Sequence, residues 1–143
     1  MPLITRTMIK MAMVYALAGT ALSALWLVEI AWPMHPVLRL VQPTALHLIV
    51  MGWLTQLIFG IALWMFPPWS KEQPRGPIRP TWLCFGLLNA GLLLRLIAEP
   101  LNRYAPAPLL AWLLVISAWL QVGAIILFVG LTWSRVRVKG SVR

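Results

Sequence analysis

His47 is the residue of this chain whose side chain is best suited to chemistry. It lies about one turn inside the end of a long apolar run, where an ionisable group usually has a purpose. Three roles stay open for it: a neutral imidazole bonded to a neighbouring helix, an axial ligand of a b-type haem, or a part in quinone binding or proton movement. The chain has two histidines. The other, His35, falls in a Trp-Pro-Met-His-Pro loop and is expected to be solvated or interfacial, so the apolar run offers no bis-histidine pair.

Two other ionisable residues, Glu29 and Arg95, fall near the ends of apolar runs that would meet at the same depth. A carboxylate and a guanidinium would each lower the other's burial cost, so we predict an ion pair between them. Cys84 is the single cysteine and cannot build a metal site alone. No nucleophile–base pair, phosphate-binding loop or metal cluster is visible, and the sequence therefore predicts a protein that is not an enzyme.

The composition places these residues in a membrane protein. Of 143 residues, 61% are hydrophobic and 10% charged, and the mean hydropathy is +0.84, far from the balance of a soluble domain. The net charge of +9 could suggest nucleic-acid binding. However, the basic residues form short groups between long apolar runs and no single soluble face, so no nucleic-acid partner is expected.

Four segments are long and apolar enough to cross a bilayer: residues 8–31, 43–66, 80–98 and 108–133. Prolines mark nearly every boundary, as expected of residues that end helices or start them in the first turn. The short connections predict antiparallel neighbours. The expected fold is an all-α four-helix transmembrane bundle that forms one domain over residues 1–143.

Basic residues predict the orientation of this bundle. Nine fall on one side: Arg6, Lys10, Lys71, Arg75, Arg79, Arg135, Arg137, Lys139 and Arg143. The positive-inside rule then puts both termini in the cytoplasm (N-in/C-in), in a multi-pass protein of a bacterial inner membrane. Most tryptophans fall at the predicted interfaces. Trp53 and Trp119 fall deeper and are expected to pack.

Small and polar residues predict where the helices touch. At 100° per residue, Gly52, Gln56 and Gly60 share one stripe of the second span, nearly opposite His47. Glycines allow close approach of two helices, and an amide can hydrogen-bond across the contact. The same device is expected on the other spans, from the pairs Gly19 with Ser23, Gly86 with Ala90 and Ser117 with Gln121, and from Asn89.

The stretch HLIVMGWLTQLIFGIALWMFP, from His47 to Pro67, resembles the second helix of subunit I in the haem–copper oxidases, especially the cbb3 and nitric oxide reductase branch. The matching positions are His47, Gly52, Trp53, Gly60 and Pro67. In that family the helix carries an axial ligand of the low-spin haem, a role that the resemblance gives to His47. The family's remaining haem and copper ligands are further histidines, which this chain lacks. The resemblance therefore implies no oxygen or nitric oxide reduction by this chain alone.

The expectation that joins these observations is a non-catalytic accessory subunit of a larger bacterial electron-transfer complex, respiratory or photosynthetic. Its expected partners are membrane lipids and other integral membrane subunits, with a homo-oligomer also open, and no cofactor is expected. The alternative is a small b-type cytochrome with haem on His47 and a second ligand from Met51, another protomer or a neighbour. A channel or transporter is the weakest option, because the spans carry almost no midplane charge.

Overall fold

A computed structural model describes residues 1–69 and 76–136 and confirms the predicted all-α class. Its four long helices are α1 (Leu3–Ala31), α2 (Gln42–Met65), α3 (Ile78–Tyr104) and α4 (Pro108–Thr132). Each of the four is long and apolar enough to cross a membrane. Short 3-10 turns cover Pro36–Leu40 and Trp133–Arg135. The N-in/C-in orientation stays a prediction, and Lys71, Arg75, Arg137, Lys139 and Arg143, on which it partly depends, lie outside the described residues.

Two helices are longer than their predicted spans. α1 begins at Leu3, and α3 continues through Pro100 to Tyr104, although the sequence suggests that Pro100 lies beyond its end. Proline costs the helix the hydrogen bond of its missing amide, and membrane helices tolerate this where neighbouring groups make up for it. Beyond Pro100 the regular helical hydrogen bonding continues to the end of the helix, where the amide of Ala105 donates to the carbonyl of Leu101 at 2.8 Å.

The middle of α2 is a π-helical stretch, Leu48–Thr55, that begins directly after His47. Its backbone bonds reach one residue further than those of an α-helix, so each turn holds more residues. Within it the hydroxyl of Thr55 donates to the carbonyl of Val50 at 2.9 Å. Such stretches are rare, and many of those known lie at functional sites.

α1 and α2 pack through glycines. A Cβ atom on Gly52 would lie 2.7 Å from Cγ of Tyr15, and one on Gly19 would lie 2.7 Å from Cγ1 of Ile49. Gly60 is nearly as tight, 3.1 Å from Cβ of Met8 by the same measure. Only residues without side chains permit this approach.

α3 and α4 also meet at a glycine, but it is Gly91. A Cβ there would lie 2.9 Å from Cγ of Gln121 and from the carbonyl oxygen of Ser117. The hydroxyl of Ser117 donates to the carbonyl of Gly91 at 2.7 Å, and Gln121 Nε2 donates to that hydroxyl at 3.3 Å. Gly86 makes no such contact within the part of the chain that the structure describes, because a Cβ there would meet no atom within 4 Å. Gly86 and Ala90 lie on the exposed side of α3, away from the other described helices.

The α1–α2 pair and the α3–α4 pair meet mainly along α2 and α3. Phe59 of α2 stacks on Phe128 of α4 with ring centroids 3.7 Å apart. Past the end of α4, the buried guanidinium of Arg135 donates to the carbonyls of Leu63, Phe66 and Pro67 at 2.8 to 3.2 Å. These carbonyls lie at the C-terminal end of α2, where a helix has no amides of its own to offer. Among the described residues α1 and α4 do not contact each other, so both keep a free outer face.

Candidate functional site

The centre of the α2–α3 interface holds a chain of neutral polar side chains. The hydroxyl of Tyr15 donates to Asn89 Oδ1 at 2.8 Å, and Asn89 Nδ2 donates to Gln56 Oε1 at 2.9 Å. Gln56 Nε2 then donates to the carbonyl of Met8 at 3.2 Å. All three side chains are buried, and each of their polar atoms has a partner. This series of hydrogen bonds, which we call the central chain, therefore joins α1, α2 and α3.

A second polar group, the Glu99 cluster, lies between the start of α2 and the end of α3 and consists of Thr44, His47, Arg95 and Glu99. Glu99 is 7% exposed. Its Oε2 accepts from the Thr44 hydroxyl at 2.9 Å and lies 3.8 Å from His47 Nδ1. Its Oε1 lies 3.5 Å from a terminal nitrogen of Arg95, one helical turn away. Glu99 therefore links two helices and forms the centre of the cluster.

Unlike the central chain, the Glu99 cluster has polar atoms to spare. Arg95 Nε is buried and has no hydrogen-bond partner in the described part of the chain. His47 Nδ1 lies 2.8 Å from the carbonyl of Pro43. A carbonyl can only accept, so the neutral ring carries its proton on Nδ1 and has a lone pair on Nε2. Nε2 has no partner among the described residues, and the His47 side chain is 33% exposed.

The predicted ion pair between Glu29 and Arg95 is not formed. Glu29 is buried at the end of α1 and accepts from the amides of Met34 and His35 at 2.6 and 3.0 Å, with Arg39 Nε 3.3 Å away. Arg95 pairs with Glu99 instead. Both groups found partners within ten residues along the chain, which costs less ordering than a contact between distant helices.

Of the other residues singled out in the sequence, some lie at the helix contacts described above, and two make hydrogen bonds only within their own segment. The hydroxyl of Ser23 donates to the carbonyl of Gly19 within α1 at 2.9 Å, so it does not bridge two helices. His35 lies in the first loop, where its Nδ1 accepts from the amide of Val37 at 3.3 Å. Glu99 was not among the residues predicted from the sequence. Its spacing of four residues from Arg95, on one helical face, is the signal that could have found it.

The site fits a haem only in part. Metal-bound histidines commonly donate their other ring nitrogen to a carbonyl, as His47 does to Pro43. Met51 does not suit the second axial position. It follows His47 by one turn on the same helix, whereas two axial ligands approach from opposite faces of the ring. The described residues contain no group of three metal-binding side chains.

The outer face of α4 is the other unusual surface. Three residues on it, together with Trp133 directly after its end, recur every seven positions, and we call this line the α4 stripe: Trp112, Trp119, Ile126 and Trp133. All four are largely exposed, Trp119 at 71%. Trp119 lies near the middle of α4 and points outward, contrary to the expectation that it packs within the chain. Tryptophan facing lipid normally lies at the interfaces.

Comparison with protein-family models, with curated proteins and with solved structures finds no match to this chain. The similarity of the His47 segment to the oxidase helix therefore stays a prediction from sequence.

Proposed function

We propose that this chain is a non-catalytic subunit of a larger electron-transfer complex in a bacterial inner membrane, with both termini in the cytoplasm. In this proposal it binds a neighbouring integral membrane subunit through α4. The electron-transfer assignment rests on the resemblance of the segment from His47 to Pro67, and the orientation rests on the basic residues.

The observation that carries the proposal is the α4 stripe. Residues that recur every seven positions keep two helices in contact along a left-handed supercoil. Trp119 is the informative member, because mid-membrane tryptophan gains little from lipid but much from packing on protein. Gly130, next to the stripe, has no atom within 4 Å of where its Cβ would be, which leaves room for a partner's side chain.

Site-specific photocrosslinking in native membranes tests the proposal. A photoreactive amino acid at Trp119 should yield one discrete adduct with another polypeptide, which mass spectrometry identifies as a subunit of a redox complex. The matched control is the same amino acid at Leu17 of α1, which is 73% exposed and should yield lipid adducts. An adduct of twice the chain's mass would mean self-association, and purification of the chain as a lone monomer would contradict the proposal.

The alternative is a small b-type cytochrome, and the free Nε2 of His47 favours it specifically. A haem iron bound there would need its sixth ligand from a second copy or a neighbour. A pyridine haemochrome spectrum of the protein purified from its native membrane discriminates between the two proposals. The cytochrome reading requires haem that is lost in His47→Leu and kept in His35→Leu.

A further inference from the structure

We propose that the Glu99 cluster binds the head group of a membrane-soluble quinol, with a quinol hydroxyl donating a hydrogen bond to His47 Nε2. This inference is independent of the accessory-subunit proposal, because it uses α2 and α3 and not the α4 stripe.

The direction of the hydrogen bond follows from the tautomer of His47. Its Nδ1–H is engaged by the Pro43 carbonyl at 2.8 Å, so in the neutral imidazole Nε2 can only accept. An acceptor exposed to an apolar medium without a partner is unfavourable, because it loses its hydrogen bond to water and gains none in return. A ligand that fills this position must therefore bring a donor, which a quinol hydroxyl supplies and a quinone carbonyl does not.

The charges of the cluster favour a neutral ligand. Arg95 and Glu99 are 3.5 Å apart and cancel each other, and the carboxylate would repel a phosphate or another anion. The guanidinium has five N–H donors, of which one makes the contact with Glu99. The donors left over suit a second oxygen of the same head group. Two oxygens on one ring, with one donating and one accepting, match a quinol.

The position in the membrane suits such a ligand. His47 lies five residues from the start of α2, which is about 8 Å along the helix axis. Glu99 lies five residues from the end of α3. A head group at this depth sits at the edge of the hydrocarbon while its tail stays in the bilayer, and the exposed third of the His47 side chain gives lateral access. The π-helical stretch that begins at Leu48 is the kind of irregularity that recurs at functional sites.

The decisive comparison uses two ligands that differ in one property. The full chain in lipid nanodiscs is titrated with decylubiquinol and with its dimethyl ether, which keeps the ring and the tail but has no hydroxyl to donate. Empty nanodiscs give the background of lipid partitioning. We expect saturable binding of one quinol per chain and binding of the ether that is weaker by about tenfold or more.

Two variants locate the site. His47→Leu should weaken quinol binding by about tenfold, and His35→Leu, the matched histidine in the first loop, should leave it unchanged. If His47→Leu does not fold by circular dichroism, the comparison of quinol with ether on the unaltered chain still decides. Equal binding of the two ligands, or no saturable binding, would overturn the proposal. A purified chain with haem on His47 would also overturn it, because the one lone pair of Nε2 cannot serve both an iron and a quinol hydroxyl.

Discussion

The interface between α2 and α3 contains two polar regions with opposite properties. In the central chain, Tyr15, Asn89 and Gln56 are neutral, and each polar atom has a partner within three helices. In the Glu99 cluster, Arg95 Nε and His47 Nε2 have no hydrogen-bond partner among the residues described. A polar network in a membrane stabilises a fold when it is complete. The incomplete one is therefore the better place to look for a ligand.

Depth explains why the two regions differ in residue type. Charges near the middle of a bilayer are costly, whereas near the ends of a helix they can reach the interface. Amides cost less to bury and can both donate and accept, so they serve the middle. The fold thus keeps its neutral bonds where no water reaches and its ionisable groups where head groups are close.

The largest expected effect comes from breaking the central chain. Asn89→Ala removes the partner of both the Tyr15 hydroxyl and Gln56 Oε1, and should lower the free energy of unfolding by about 2–3 kcal/mol. Steric trapping in bicelles measures this quantity. The control on the same helix is Asn102→Ala, which loses one bond, to the amide of Ala107 at 3.3 Å, and should cost about 1 kcal/mol or less. Equal losses would mean that the central chain has no special weight.

The sequence predicted those features of these regions that depend on local properties, and not those that depend on how one helix faces another. Runs of apolar residues between prolines predicted the four helices, because length and hydropathy are local properties. Gln56 and Asn89 could be recognised as interhelical groups, since amides inside a span have few other roles. Sequence could not supply the rotation of one helix relative to another, which decides the partner of Arg95. Depth alone suggested Glu29, whereas the helical face selects Glu99.

The π-helical stretch and Pro100 were also beyond the sequence analysis. The residues that share one face of α2 were assigned with a rotation of 100° per residue. The π-helical stretch from Leu48 to Thr55 changes that angle in the middle of the helix. Pro100 predicted a helix end from local chemistry, while the helix continues around it. Neither feature follows from hydropathy, length or local residue preference, which were the signals used to place the helices.

A second pair of variants tests whether close packing supports the central chain. Gly52→Ala would place a methyl group 2.7 Å from the ring of Tyr15, whose hydroxyl makes the first hydrogen bond of the central chain. This variant should destabilise the protein by about 1–3 kcal/mol. Gly86→Ala is the matched control, because its Cβ meets open space, and better helix propensity should stabilise it by up to about 1 kcal/mol. Steric trapping of both variants gives the sign of each change. A destabilised Gly86→Ala would show that α3 has a contact on that face after all.

The smallest expected effect is at His47, and it sharpens the contrast between the regions. His47 bonds to its own helix through Pro43 and stands 3.8 Å from Glu99, so His47→Leu breaks no strong bond between helices. The free energy of unfolding should change by no more than about 0.5 kcal/mol, measured as for Asn89→Ala. Glu99 keeps its bonds to Thr44 and Arg95 in this variant. A loss as large as that of Asn89→Ala would mean that His47 is structural. The Glu99 cluster would then be a second stabilising network, and its spare atoms would no longer indicate a ligand.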